Sequence, residues 1–104
     1  MVLTETLPAL AAELRKLLQQ ENLPELATQV HGLRILDRCR CEDDFCSSFY
    51  TQPKPRGSYG PELRTIPLPV ATGMLIIDVV DDVIMFVEVL YNDANRKALL
   101  AALP

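Results

Sequence analysis

The sequence lacks tryptophan and is poor in histidine, cysteine and aromatic residues, the aromatics making up 6% of its 104 residues. With His31 as the only imidazole, most catalytic and metal-binding sets built on several histidines are excluded. Three cysteines are too few for a disulfide framework, and an odd number is typical of a reducing compartment. We therefore expect a cytoplasmic protein with reduced thiols.

The chain also has no excess of positive charge, and neither a leader nor a membrane-spanning run is expected from its sequence. Its net charge of −4 argues against nucleic-acid binding, because lysine and arginine drive the binding of phosphates. The first residues show no basic start followed by an apolar run, so no signal peptide is expected. Acidic residues interrupt the apolar runs, which are too short to span a membrane. An acidic surface suits a basic protein partner instead.

The length fits one domain, residues 1–104, and an apolar content of 49% is enough for a modest core. Leucines at helical spacing predict an amphipathic helix over Leu7–Gln20, with Pro8 in its first turn. Pro24 predicts the start of a short second helix that ends at His31-Gly32. A last helix is predicted over Ala94–Leu103.

Alternating residues and turn signals predict about five strands between these helices, at Leu33–Cys41, Ser47–Gln52, Leu63–Val70 and in a hairpin over Met74–Leu90. Pro67 and Pro69 keep the third strand at a sheet edge. Short connections favour an antiparallel meander with the N-terminal helix or helix pair and the C-terminal helix packed on it. The predicted fold class is therefore α+β.

The hairpin is predicted to turn at Asp81-Asp82, which pairs Val80 with Val83 and Asp78 with Met85. In this register Asp78 and Glu88 lie on opposite faces, so they do not form a general acid–base pair. Both faces of the hairpin are largely apolar, which favours a central position. The helices are expected on one face of the sheet, so the apolar residues of the other face would remain uncovered in a monomer. We therefore predict a homodimer interface on that face.

All three cysteines fall within eight residues, in the run Cys39-Arg-Cys-Glu-Asp-Asp-Phe-Cys46. On a strand, alternate cysteines share a side, and a turn over 42–45 would return the third beside them. Thiolate and imidazole are zinc ligands, so one hypothesis is a zinc site built from Cys39, Cys41, Cys46 and His31. The spacing differs from the usual pairs separated by two to four residues. Two alternatives remain open. The cysteines could pack as small hydrophobes, or one could be a redox thiol, whose pKa Arg38 and Arg40 would lower and the acidic turn would raise by nearly as much.

A second candidate site combines the acidic turn with the aromatic residues and the proline-rich loop Gln52–Pro61. Aromatic residues and arginine are common anchors of protein interfaces. The predicted partner-binding residues are Asp43, Asp44, Phe45, Phe49, Tyr50, Lys54, Arg56 and Tyr59. The alternative is that Phe45, Phe49 and Tyr50 complete the core.

Two runs carry a resemblance: Cys39-x-Cys-x₄-Cys-x-x-Phe-Tyr-Thr-x-Pro53 and Asp78-Val-Val-Asp-x-x-Ile-x-x-Val-Glu-Val-Leu90. They resemble a family of small uncharacterised bacterial proteins over roughly residues 33–103, and this resemblance implies no particular activity. Some bacterial immunity proteins are similar in size, acidity and α+β organisation.

The sequence therefore favours a non-enzymatic module that binds a basic protein, of the antitoxin or immunity type. A small zinc-stabilised or thiol-active domain is the alternative. A third hypothesis is a small-molecule enzyme that uses Asp78 or Glu88 in a pocket. No catalytic residue is assigned, since no phosphate loop, metalloprotease helix or nucleophile elbow is present.

Overall fold

The computed structural model describes residues 1–104 and consists of four helices and a five-stranded antiparallel sheet. This arrangement confirms the predicted α+β class. Helices α1 and α2 are followed by α3, which continues into a 3-10 turn at Val30–Gly32. The helices span Leu3–Thr6, Pro8–Gln20, Pro24–Gln29 and, for α4, Asp93–Ala102. The strands β1 to β5 span Asp37–Arg38, Phe49–Tyr50, Leu63–Leu68, Met74–Val80 and Val83–Leu90.

Helix α2 begins at the proline that the sequence pattern placed in its first turn, where the missing N–H of proline costs no hydrogen bond. It buries one apolar face made of Leu10, Ala11, Leu14, Leu17 and Leu18. The single turn α1 was not predicted. None of the helices combines the length and the apolarity that crossing a bilayer requires.

The strand order is β1-β2-β5-β4-β3, with every pair antiparallel. Strands β3, β4 and β5 follow one another as a meander, and β1 and β2 pair as neighbours. The two groups join where Phe49 and Tyr50 pair with Val87 and Phe86. The segment that carries the cysteines therefore lies beside the central hairpin.

The predicted strand Leu33–Cys41 is wrong in extent, because only Asp37–Arg38 forms a strand. Its apolar alternation is nevertheless present, since Leu33 and Ile35 are buried. Their hydrogen bonds go to the N-terminal segment: Ile35 N donates to Met1 O at 2.7 Å, and Leu33 O accepts from Leu3 N at 2.9 Å. The second predicted strand likewise shortens to Phe49–Tyr50.

The hairpin turns at Asp81-Asp82 as predicted, and Val80 pairs with Val83. A register shift between Asp78 and Val79 then pairs Asp78 with Phe86 and Ile76 with Glu88. The predicted pairing beyond this bulge was therefore wrong. Because Ile76 and Asp78 are two residues apart on one strand, Asp78 and Glu88 share a face instead of lying on opposite faces.

The core contains 21 buried apolar residues, most of them from the helices and from one face of the sheet, with Leu33 and Ile35 from the segment before β1. Helix α4 begins at a capped end, where Asn92 Oδ1 accepts from Asn95 N at 3.0 Å, and it buries Leu99. The opposite face, called here the outer face, holds half-buried residues such as Ile76 and Phe86. Part of the loop after β2 lies against this face, around Tyr59.

Candidate metal centre

The three thiols lie together: the Sγ atoms of Cys39, Cys41 and Cys46 are all within 4.8 Å of one another. The strand pairing of β1 with β2 continues to Cys39, whose N donates to Ser48 O at 2.8 Å. A turn follows, in which Cys46 N donates to Asp43 O at 3.3 Å. These backbone bonds return Cys46 to the side of the first two cysteines, as the sequence analysis predicted. This group is called the thiol cluster below.

The thiol cluster lies at the surface, with Cys41 exposed and the other two cysteines half-buried. None of the three forms a disulfide. A backbone hydrogen bond from Asp43 acts to lower the pKa of Cys41. Desolvation and the neighbouring thiols of Cys46 and Cys39 outweigh that bond and raise this pKa to about 11. Desolvation also acts to raise the pKa of Cys46, but hydrogen bonds with Ser48 and the neighbouring thiols lower it overall. The protons therefore distribute unevenly over the cluster.

Ser48 connects the thiol cluster to the sheet by hydrogen bonds. Its Oγ accepts from Val89 N at 2.9 Å and makes a 3.3 Å hydrogen bond with Cys46 Sγ, so this buried hydroxyl ties the thiol to β5. The neighbouring Ser47 Oγ accepts from Asn95 Nδ2 at 2.9 Å, which ties the same segment to α4. The sequence analysis missed both contacts. The only signal for them is a pair of serines directly after the last cysteine.

Arg38 and Arg40, the arginines of the redox hypothesis, make hydrogen bonds to backbone oxygens, and Arg38 Nη1 reaches Cys39 O at 3.4 Å. Arg38 Nε donates to Leu103 O at 2.8 Å, and Arg40 Nη1 donates to Pro104 O at 3.3 Å. Arg40 also pairs with Asp37 at 2.8 Å, and this contact lowers the pKa of Asp37. Both guanidinium groups thus bind backbone oxygens at the C-terminal end of α4, where the helix dipole favours cations.

His31 is not brought to the thiol cluster. It lies exposed in the 3-10 turn and lines a shallow cleft beside α1 and α2, together with Thr4, Pro8 and Arg15. The residues whose ligand atoms meet are the three cysteines, and no histidine or carboxylate belongs to that group. The predicted fourth ligand is therefore placed on a different part of the molecule.

The residues predicted to bind a partner divide into three environments. Asp43 and Asp44 are exposed in the turn of the thiol cluster. Phe45 is half-buried and stacks on Tyr91, with ring centroids 4.8 Å apart and planes at 14°. Phe49 is 0% exposed, so its assignment as a partner-binding residue was wrong, and it completes the core.

The third environment is the loop over the outer face. Tyr50 packs on Phe86 with ring centroids 4.6 Å apart, and Lys54 Nζ lies 5.8 Å above the Tyr50 ring. The hydroxyl of Tyr59 is buried without a hydrogen-bond partner. Burial, with the nearby Tyr50 and Asp78, raises the pKa of Tyr59. Arg56 remains exposed at the tip of this loop.

Tyr91 is an exposed residue beside the cluster that the sequence analysis did not single out. It is 59% exposed, adopts a left-handed φ of 58° and donates from its N to Phe45 O at 2.9 Å. A large residue in this conformation is unusual, and the strain is relieved only by surrounding contacts. Its position directly after a strand and before Asn-Asp was the available signal for a tight turn.

Comparisons with protein-family models, with curated proteins and with solved structures found no match. The chemistry of the site therefore rests on its own residues. Sulfur donors are ligands that zinc and other thiophilic ions take from proteins, and this segment brings three of them together.

Proposed function

We propose that this protein binds a thiophilic metal ion, in the first instance zinc, through Cys39, Cys41 and Cys46. The observation that supports the proposal is the mutual separation of their Sγ atoms, at most 4.8 Å. Zinc–sulfur bonds of about 2.3 Å in tetrahedral geometry place two sulfurs about 3.8 Å apart. Closing the cluster around an ion therefore requires shifts on the order of 1 Å.

The exposure of Cys41 distinguishes this proposal from simple packing. Unreacted cysteine is among the most buried residue types, because it behaves as a small hydrophobe. Here one thiol faces solvent, and none of the three belongs to the buried core. Packing therefore gives no account of why the three sulfurs converge.

The polar groups around the cluster also suit a metal site. The buried Ser48 hydroxyl contacts Cys46 Sγ, and hydrogen bonds to ligands of this kind fix their orientation and tune the metal. The lowered pKa of Cys46 means that this thiol gives up its proton more readily than an ordinary cysteine. Metal binding then displaces the remaining thiol protons.

The test is zinc stoichiometry in the reduced full chain by native mass spectrometry, with and without a chelator. One zinc per chain is expected, and each of Cys39→Ser, Cys41→Ser and Cys46→Ser should weaken binding at least tenfold, since each removes one of three ligands. His31→Ala is the matched control and should bind zinc as the wild type does. A reduced chain that binds no zinc at micromolar concentrations contradicts the proposal.

We also propose that the protein is a non-enzymatic module that binds a basic protein partner, of the antitoxin or immunity type. The exposed acidic turn Glu42-Asp43-Asp44 adjoins the stacked Phe45 and Tyr91, which gives a charged rim beside an aromatic anchor. Charge reversal with Asp43→Lys and Asp44→Lys should abolish capture of such a partner. Deletion of residues 53–60 tests the loop, and unchanged binding after it excludes the loop from the interface.

A further inference from the structure

We infer that the metal bound at the thiol cluster takes its fourth ligand from outside the chain, as the imidazole of a histidine in a basic segment of another protein. This inference rests on the proposed function, because it requires a metal at Cys39, Cys41 and Cys46. It adds what the bound metal is for: it joins this protein to its partner.

The first step concerns coordination number. Zinc in protein sites takes four ligands in a tetrahedron, and sites with three protein ligands keep the fourth position for an external group. The ligand group here contains three thiols and no carboxylate or imidazole. The only histidine of the chain lies in the 3-10 turn beside α1 and α2. The exposed position of Cys41 leaves the site accessible from solvent.

The second step concerns charge. Three thiolates outweigh a divalent ion, and Glu42, Asp43 and Asp44 add exposed negative charge in the turn between the ligands. Of the nearest arginines, Arg40 is paired with Asp37, and Arg38, which donates to Leu103 O and to Cys39 O, sets one positive charge against the three carboxylates of the turn. The charge around the ligands therefore stays negative. An anionic donor is therefore repelled, whereas a neutral imidazole flanked by lysine or arginine is attracted.

The third step concerns the surface beside the metal. Phe45 immediately precedes Cys46 and stacks on Tyr91, and the Tyr91 side chain is 59% exposed. Met74, which pairs with Leu90 next to Tyr91, is 45% exposed. Aromatic faces attract the cationic groups of lysine and arginine, and apolar side chains cover their aliphatic stems. One basic segment can thus bind the metal through its histidine while its lysine or arginine side chains contact the acidic turn and the aromatic pair.

The test uses the reduced full chain loaded with cobalt(II), whose ligand-field bands report a change of the fourth ligand and whose charge-transfer band reports bound thiolate. Three blocked pentapeptides are titrated, with sequences KKHKK, EEHEE and KKAKK. We expect KKHKK to move the ligand-field bands and to bind at least tenfold more tightly than EEHEE. KKAKK should leave the bands unmoved, because it carries no imidazole.

A charge-neutral variant of the turn, with Glu42→Gln, Asp43→Asn and Asp44→Asn, separates charge from coordination. In this variant KKHKK should still move the bands, while its advantage over EEHEE falls below threefold. If the variant loses cobalt instead, a carboxylate of the turn is the fourth ligand and the inference is overturned.

Two further results would overturn it while leaving metal binding intact. One is a charge-transfer band with ligand-field bands that KKHKK does not move. The other is an imidazole spectrum without peptide that disappears in His31→Ala, which would assign the fourth ligand to a second copy of this chain. Absence of the charge-transfer band in the wild type would overturn the proposed function itself.

Discussion

At the residue scale, Gly73 shows how closely the backbone packs next to the thiol cluster. It precedes β4 with a φ of +75°, and a Cβ built there would lie 2.5 Å from Leu90 O and 2.9 Å from Tyr91 O. Both oxygens belong to backbone, so they cannot move aside as a flexible side chain would. Replacing Gly73 with alanine should therefore disturb the junction between β5 and α4, where Tyr91 stacks on Phe45.

We predict that Gly73→Ala lowers the free energy of unfolding by about 3 kcal/mol, because it adds a backbone clash to the cost of the left-handed φ. Gly57→Ala is the matched control, since Gly57 has a φ of +83° but open space around the Cβ position. Its cost should be about 1 kcal/mol, that of the conformation alone. Urea unfolding of both variants measures the difference, and equal losses would contradict the steric argument.

At the scale of elements, one side chain links α3 to the central hairpin. Gln29 Oε1 accepts from Ile84 N at 3.1 Å, and Gln29 Nε2 donates to Asp82 O. These two bonds join the end of α3 to the hairpin turn and to the start of β5. They hold Asp81 and Asp82, which both have positive φ, against the helical layer.

We predict that Gln29→Ala destabilises the protein by about 1–2 kcal/mol, because it leaves the Ile84 N–H without a partner at the edge of the core. Gln20→Ala is the control, since Gln20 is exposed at the end of α2 and should be nearly neutral. Thermal unfolding followed by circular dichroism compares the two. A Gln29→Ala variant as stable as the control would show that the hairpin turn does not depend on the link.

The elements that could be predicted from the sequence are those whose periodicity is local. The leucine spacing of α2 and the two apolar runs around Asp81-Asp82 are contained within their own segments. The extent of β1 could not be predicted, because Leu33 and Ile35 pair with residues at the start of the chain rather than with β2. The bulge after Asp78 also left no mark in the alternation, so Asp78 and Glu88 were placed on the wrong faces.

The candidate site residues likewise include some whose positions could be predicted from local sequence and some whose positions could not. Alternation on a strand and a short acidic turn are local features, and they indicated that Cys46 could return beside the first two cysteines. That the three sulfurs meet is a finding of the structure. The position of His31 depends on how the helices pack on the sheet, which no spacing in the sequence reveals. The burial of Phe49 depends on its pairing with Val87, some forty residues later in the chain.

At the scale of the whole molecule, the thiol cluster and the core are separate. Most of the 21 residues of the core come from the helices and the inner face of the sheet, and none of the 21 is a cysteine. The cluster is tied to this body by few backbone bonds, among them Ser47 N to Val89 O at 2.9 Å and Tyr91 N to Phe45 O at 2.9 Å. If the thiol cluster binds a metal as proposed, we expect the ion to stabilise one segment, over residues 39–46, more than it stabilises the fold.

This separation gives the last prediction, for hydrogen exchange of the zinc-loaded chain before and after chelation. Removal of the metal should speed exchange of the Cys39 and Cys46 amides at least tenfold, because their bonds to Ser48 O and Asp43 O close the turn that the ion holds. The amides of Val79 and Val87, buried in the central hairpin, should exchange at unchanged rates. The Cys41→Ser variant is the control and should exchange in this segment at the chelated rate throughout. Faster exchange at Val79 and Val87 as well would mean that the metal is required for the whole fold. Unchanged exchange over residues 39–46 after chelation would mean that the ion does not hold the turn.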